Sequence, residues 1–313
     1  MHEPGRMTAA LDVTSVSERR LDYFDTLASD LGRRVVQVPP RTLLASAVDN
    51  FRAVRTCLSE RQATYNQIRL VRVAGRLSNV VGEILFNEGH FDEARHWYMT
   101  AIHAFQDIGD RYSEDIALAG LAYLPTYSAD PIGALAVLSP RLDQKPMSGA
   151  AAAWLWGMAA RAHAVTGDED EFRRCIATAA TALDSASPDE IEFGIFSFRP
   201  EKLAFYEAIG HSLFGRADQT SVAAHRALSM YDPSETTEPC LVRLEYASAL
   251  LTAGEVDEAC AVATHAVTSD RTYLATSVIG RARRFDADLR GVSSRAVSVW
   301  REQARPALEA VKA

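Results

Sequence analysis

Three histidines crowd one short stretch, His90, His96 and His103, and four cysteines stand far apart at Cys57, Cys175, Cys240 and Cys260. A catalytic zinc site of the H-E-x-x-H kind needs two histidines four residues apart on one helical face. None of these is so spaced, and His96 and His103 sit seven apart, two turns distant, so no metal is expected. The chain carries neither G-x-G-x-x-G nor G-x-x-x-x-G-K-S/T to cradle phosphate, and no G-x-S-x-G elbow to present a nucleophilic serine. No cofactor is therefore expected, and no catalytic residue is assigned. If a reaction does occur, its acid–base groups would come from side chains on separate helices, with Glu83, Tyr206, Arg199 and His163 as candidates. Two further stretches carry chemistry. "EIEFGIFSFRPEKLAFYEAIGHSLFG" (190–215) holds five of the twelve phenylalanines and places Arg199 and Lys202 among them, where an anionic group could be met. "RARRFDADLRG" (281–291) interleaves four arginines with Asp286 and Asp288, the pattern of a solvated helix face with local ion pairs.

Composition narrows the setting. The 313 residues are 48% hydrophobic and carry a formal net charge of −8. A folded globular chain is implied, and the acidic balance argues against direct nucleic-acid binding. Cysteines without C-x-x-C pairing fit reduced thiols in a cytoplasmic protein. No segment has the length and apolarity of a membrane span or a secretory signal.

The residues must be positioned by something, and that element repeats. "NEGHFDEARHWYMTAI" (87–102) is echoed by "TAGEVDEACAVATHAV" (252–267), and more weakly by "TGDEDEFRRCIATAA" (166–180) and "FGRADQTSVAAHRAL" (214–228). Gly89 and Gly167 lie 78 residues apart, twice 39, and Gly215 and Gly254 lie 39 apart. "YSADPIGALAVLSPRL" (127–142) falls where an intervening copy belongs. Each glycine suits a left-handed helix end, each following acid suits the positive end of the next helix, and the alanines let two helices approach closely. A period near 39 with this content implies stacked helix pairs. "RRVVQV" (33–38) and "FGIFSF" (193–198) are the best strand signals, and both read as turns or helix starts. The expected architecture is all-α: a right-handed helix-pair solenoid over residues 20–313, preceded by a flexible segment, 1–19.

The glycine, D/E-E-A, aromatic and alanine pattern resembles the tetratricopeptide repeat. With Gly75 as the first position, Gly82, Ala94, Tyr98 and Ala101 fall on that family's small and aromatic positions, while the second and fourth copies depart from it. More narrowly, "VQVPPRTLLASAVDNF", "AGRLSNVVGEILFNEGHFDEARHWYMTAI", "WLWGMAARAHAVTGDEDEFRRCI" and "SVIGRARRFDADLRG" resemble the C-terminal sensor region of actinobacterial helix-turn-helix regulators of the XRE type. The residues before the first helix lack the basic helices a helix-turn-helix needs, so the resemblance implies a sensor-like part without its DNA-binding function.

In such an array the first helix of each pair lines an inner, concave groove. That places Arg76, Asn79, Glu83 and Phe86 on one face of the first complete unit. Trp154 and Arg161 belong to the third unit, and Lys202 and Tyr206 to the fourth. Phe198 and Arg199 come from the aromatic segment that interrupts the period. These ten residues form the expected ligand-binding set. The expected function is a non-enzymatic binding or regulatory module that holds a peptide, a small molecule or a partner protein. An enzyme with its active site in the groove, and a protein–protein adaptor such as a homodimer, are the alternatives.

Overall fold

The computed structural model describes residues 6–7, 15–144, 148–269 and 273–309, and among them there is no β-strand. The helices are α1 (Glu18–Arg34), α2 (Leu44–Leu58), α3 (Thr64–Glu88), α4 (Phe91–Asp107), α5 (Arg111–Tyr127), α6 (Pro131–Leu142), α7 (Gly149–Thr166), α8 (Glu169–Asp184), α9 (Pro200–Leu213), α10 (Ala217–Met230), α11 (Glu238–Thr252), α12 (Val256–Thr268), α13 (Thr276–Asp288), α14 (Arg295–Gln303) and α15 (Arg305–Glu309). The first helix begins inside the segment assigned as flexible, because Ser17 caps its amino end. Most of the remainder of 1–19 lies outside the described residues. Both strand-like stretches are irregular, as expected: 33–38 is the last turn of α1 and the turn after it, and 193–198 is a bend and loop.

The helix boundaries follow from local chemistry. Gly89, Gly167, Gly215 and Gly254 take positive φ of 86°, 81°, 68° and 88°, each between two consecutive helices. Asp110, Asp130 and Asp168 accept a backbone N–H from the first turn of α5, α6 and α8. Consecutive helices make the most extensive contacts, α3 with α4, α7 with α8, α9 with α10 and α11 with α12. Alternate helices then meet along the chain, α5 with α7, α7 with α9, α9 with α11 and α11 with α13.

Close approach is set by aromatic rings seated over helical glycines. A Cβ on Gly75 would lie 2.7 Å from the Phe105 ring, one on Gly157 2.8 Å from the Tyr206 ring, and one on Gly120 2.5 Å from the Tyr98 ring. Only hydrogen at these positions leaves room for the ring.

Two helices far apart in the chain also meet. α3 touches α13, and Tyr273 donates to Glu88. The turn after α1 is tied across the molecule, with Thr236 N–H donating to Val36 O at 3.1 Å and Gln37 Nε2 to Ser234 Oγ at 2.9 Å. Ile195 N–H donates to Gly32 O at 3.1 Å. These bonds draw three irregular segments in against the helices. Val35, Val36 and Ile195 bring apolar side chains that gain by leaving water, whereas Glu235 and Thr237 of the third segment are polar, and Glu235 is matched there by Arg199.

Candidate functional site

Between the helices lies a chamber of about 50 Å³. Nine pieces of chain wall it: the turn at Val35 and Val36, α3, α5, α7, the loop at Ile195, α9, the segment at Glu235 and Thr237, α11 and α13. Its wall combines aromatic rings, Phe86, Tyr123, Tyr127 and Trp154, with charged groups, Glu83, Arg161, Lys202, Glu235 and Glu238.

The aromatic wall is rigid. Phe86 stacks on Tyr123 with centroids 5.4 Å apart and meets Tyr127 edge-on at 5.1 Å. Phe198 stacks on the outer side of Trp154 at 5.8 Å. Tyr206 takes a hydrogen bond from Trp154 Nε1 at 3.1 Å and shares another, 2.7 Å long, with the Tyr123 hydroxyl. Each ring is thereby fixed by a neighbour on a different helix.

The charged groups are mostly paired. Lys202 Nζ sits 3.0 Å from Glu238 Oε1 and 4.3 Å from the centre of the Trp154 ring. Burial works against its charge, and Glu238 with the tyrosine and Glu83 oxygens more than offsets it, so the ammonium titrates above its ordinary range. The second oxygen of Glu238 accepts from Tyr231 at 3.0 Å. Arg199 bridges Glu201 and Glu235 at the rim. Glu83 accepts from Tyr98 at 2.9 Å and from Asn87 Nδ2 at 2.9 Å.

Arg161 differs. It is 3% exposed, and no carboxylate lies within ion-pair distance among the described residues. Its guanidinium faces three tyrosine rings instead, with centroids at 4.9 Å (Tyr206), 5.2 Å (Tyr127) and 5.7 Å (Tyr123). Its Nε has no hydrogen-bond partner. Burial opposes the charge, the tyrosine oxygens favour it, and the group stays protonated.

The chamber collects half of the expected binding set: Glu83, Phe86, Trp154, Arg161 and Lys202 line it. Phe198 and Tyr206 stand directly behind its wall. Arg76 and Asn79 lie elsewhere. They border a second cavity of about 200 Å³ with Tyr112 and Phe196, and Arg76 is stacked on the Phe196 ring at 4.4 Å. Arg199 serves the rim ion pairs. Six of the set are buried: Asn79, Phe86, Trp154, Arg161, Phe198 and Tyr206. The reading of 281–291 as a solvated face is corrected at one position: Arg284, Asp288 and Arg290 are exposed, but Arg281 turns inward to an ion pair with Glu245. Sequence reasoning missed Tyr123, Tyr127 and Glu238. The signal for the first two was present in "YLPTY", where an i, i+4 tyrosine pair flanks a helical proline.

Two groupings bear on chemistry. His163, Glu171 and Cys175 bring one ligand atom each within 4.8 Å, away from the chamber. The histidines His90, His96 and His103 form no such group among the described residues. Two acids of the chamber are perturbed: burial pushes the Glu83 carboxyl above the ordinary 4.5, with Lys202, Tyr98 and Asn87 opposing, and burial with Glu238 raises Glu235 against Arg199.

The Glu83 shift has a consequence for stability. Below the unfolded-state value both states hold the proton, and the native state keeps it as pH rises while the unfolded chain loses it. Native stability from this group is therefore full at acid pH and falls as pH rises through the folded-state value. Glu83→Gln should remove that fall. Urea midpoints compared between wild type and variant from about pH 4 to pH 8 should diverge, by about 1.4 kcal/mol for each tenfold change in proton affinity. Parallel curves would show that Glu83 ionises normally.

No protein-family model matches this chain, and no curated protein does.

Proposed function

We propose that the protein is a non-enzymatic binding module of regulatory type, built on a tetratricopeptide-like helical array, and that its ligand is a small molecule or the end of a peptide held in the central chamber. The supporting observation is the convergence of side chains from α3, α5, α7, α9 and α11 on one small, aromatic-walled space that keeps a charged guanidinium without an acid. A packed core would exclude such a group, because an uncompensated buried charge is costly. Ligand sites pair a largely apolar wall with a few placed polar groups in this way. A long peptide laid along a groove fits less well, since the chamber is capped on several sides.

The test is native mass spectrometry of the protein purified from its own host, beside a denatured control, followed by thermal melts with whatever mass is released. A bound small mass whose return raises the melting temperature supports a ligand-binding chamber. A protein that carries no small mass, and whose melt no extract fraction shifts, removes it, and a retained protein partner or homodimer would move the assignment to an adaptor.

One observation favours a second reading. Glu83 lines the chamber with a carboxyl raised above its ordinary range, the direction a general acid needs. Under that reading the released mass would be turned over by the wild type and not by Glu83→Gln.

A further inference from the structure

We infer that Arg161 receives the carboxylate of the ligand, so that the chamber selects small organic acids or a free peptide carboxyl terminus over their neutral analogues. The inference rests on the chamber being a ligand site and names what that site takes.

Charge matching around the chamber carries it. Lys202 is matched by Glu238, Arg199 by Glu201 and Glu235, and Arg281 by Glu245. Glu83 is held by a phenol and an amide. Arg161 has aromatic faces and hydroxyls around it and no anion. It is the buried cation on this wall whose partner is missing, and its Nε–H is left with no acceptor at all. A guanidinium in a low-dielectric site binds a carboxylate through two parallel hydrogen bonds, a geometry an ammonium cannot match.

Size agrees with charge. A water molecule needs about 10–15 Å³ of accessible space, so a chamber of about 50 Å³ holds on the order of three or four waters, or a carboxylate with a short alkyl stem. Larger acids would need a side chain to move aside. Phe86 and Trp154 line the same chamber, which suits an apolar stem rather than a second charge. A dianion is disfavoured by Glu83 and Glu238 on the same chamber.

The test uses the full chain and four probes: propionate, propionamide, N-acetylglycylglycine and its carboxamide. Tryptophan fluorescence, to which Trp154 contributes from the chamber wall, and calorimetry are followed at constant ionic strength in wild type, Arg161→Gln and Arg161→Lys. The expected result is saturable binding of propionate with no response to propionamide, and at least a tenfold loss in Arg161→Gln with partial retention in Arg161→Lys. Melting curves establish that each variant is folded, and Arg161→Lys carries the comparison if Arg161→Gln is not. Binding of N-acetylglycylglycine but not its carboxamide would assign the carboxylate to a peptide end, and binding of propionate alone would assign it to a small acid. Both support the inference. Equal binding of acid and amide, unchanged by Arg161→Gln, overturns the carboxylate assignment and leaves the chamber a ligand site. If no probe binds the folded wild type, the carboxylate assignment fails, and if in addition the protein as purified from its host carries no small mass, so does the binding reading itself.

Discussion

Glu245→Ala should destabilise the fold by about 3–5 kcal/mol, the range seen when one member of a buried ion pair is removed. Glu245 lies on α11 at 2% exposure and pairs with Arg281 of α13, whose side chain is 13% exposed. The truncation leaves a guanidinium inside the protein with nothing to balance it. Arg161 already stands close enough to disfavour the charge on Arg281, and burial with its neighbouring arginines pushes Arg281 down to about 10 even now. The loss should therefore be charge-specific. Replacing both members, Glu245→Met with Arg281→Met, should recover most of it, since apolar groups of similar volume often substitute for buried ion pairs at no net cost. Urea unfolding of the two single variants and the double variant measures this. A double variant no more stable than the singles would mean that packing, and not the stranded charge, decides the site.

Tyr98→Ala should cost a similar amount, about 3–5 kcal/mol, for a different reason. Tyr98 is 1% exposed and sits between two glycines on neighbouring helices, Gly82 of α3 and Gly120 of α5. Its ring occupies the space that would otherwise hold two side chains. Truncation opens a cavity that neither backbone can collapse into, because both helices are held by further neighbours. It also strips Glu83 of a hydrogen bond at the edge of the chamber. Tyr98→Phe separates the two contributions. It keeps the ring and removes only the donor, and should cost about 1–3 kcal/mol. Thermal or urea midpoints for the pair decide the matter, and a Tyr98→Ala protein within about 1 kcal/mol of wild type would mean that the helices close on the vacancy.

Both sites border the chamber region, and both tie helices that are distant in sequence. The chamber is thus held by these supports as well as by the contacts among its own lining residues. Glu245 and Arg281 join α11 to α13, and Tyr98 joins α3, α4 and α5. Loss of ligand response in these variants would follow loss of fold, which distinguishes them from Arg161→Gln.

The sequence by itself determined the helices and where they end. Glycine at 89, 167, 215 and 254 takes the left-handed conformation that L-side chains resist, and aspartate at 110, 130 and 168 caps the helix that follows. These are local effects, decided within a few residues, so they can be read in one dimension. The helix faces that turn inward were legible too, because a period of 3.6 places Glu83 with Phe86 and Trp154 with Arg161. What the tertiary structure alone decided is whether the inner surface stays open. Residues 35 and 36, 195, 235 and 237 reach the chamber through contacts spanning up to two hundred positions, such as Thr236 with Val36, and no local pattern announces them. Pairing was hidden for the same reason. Arg281 and Arg161 look alike along the chain, yet one finds Glu245 and the other finds three tyrosine rings, because a charge's partner is set by distance in space.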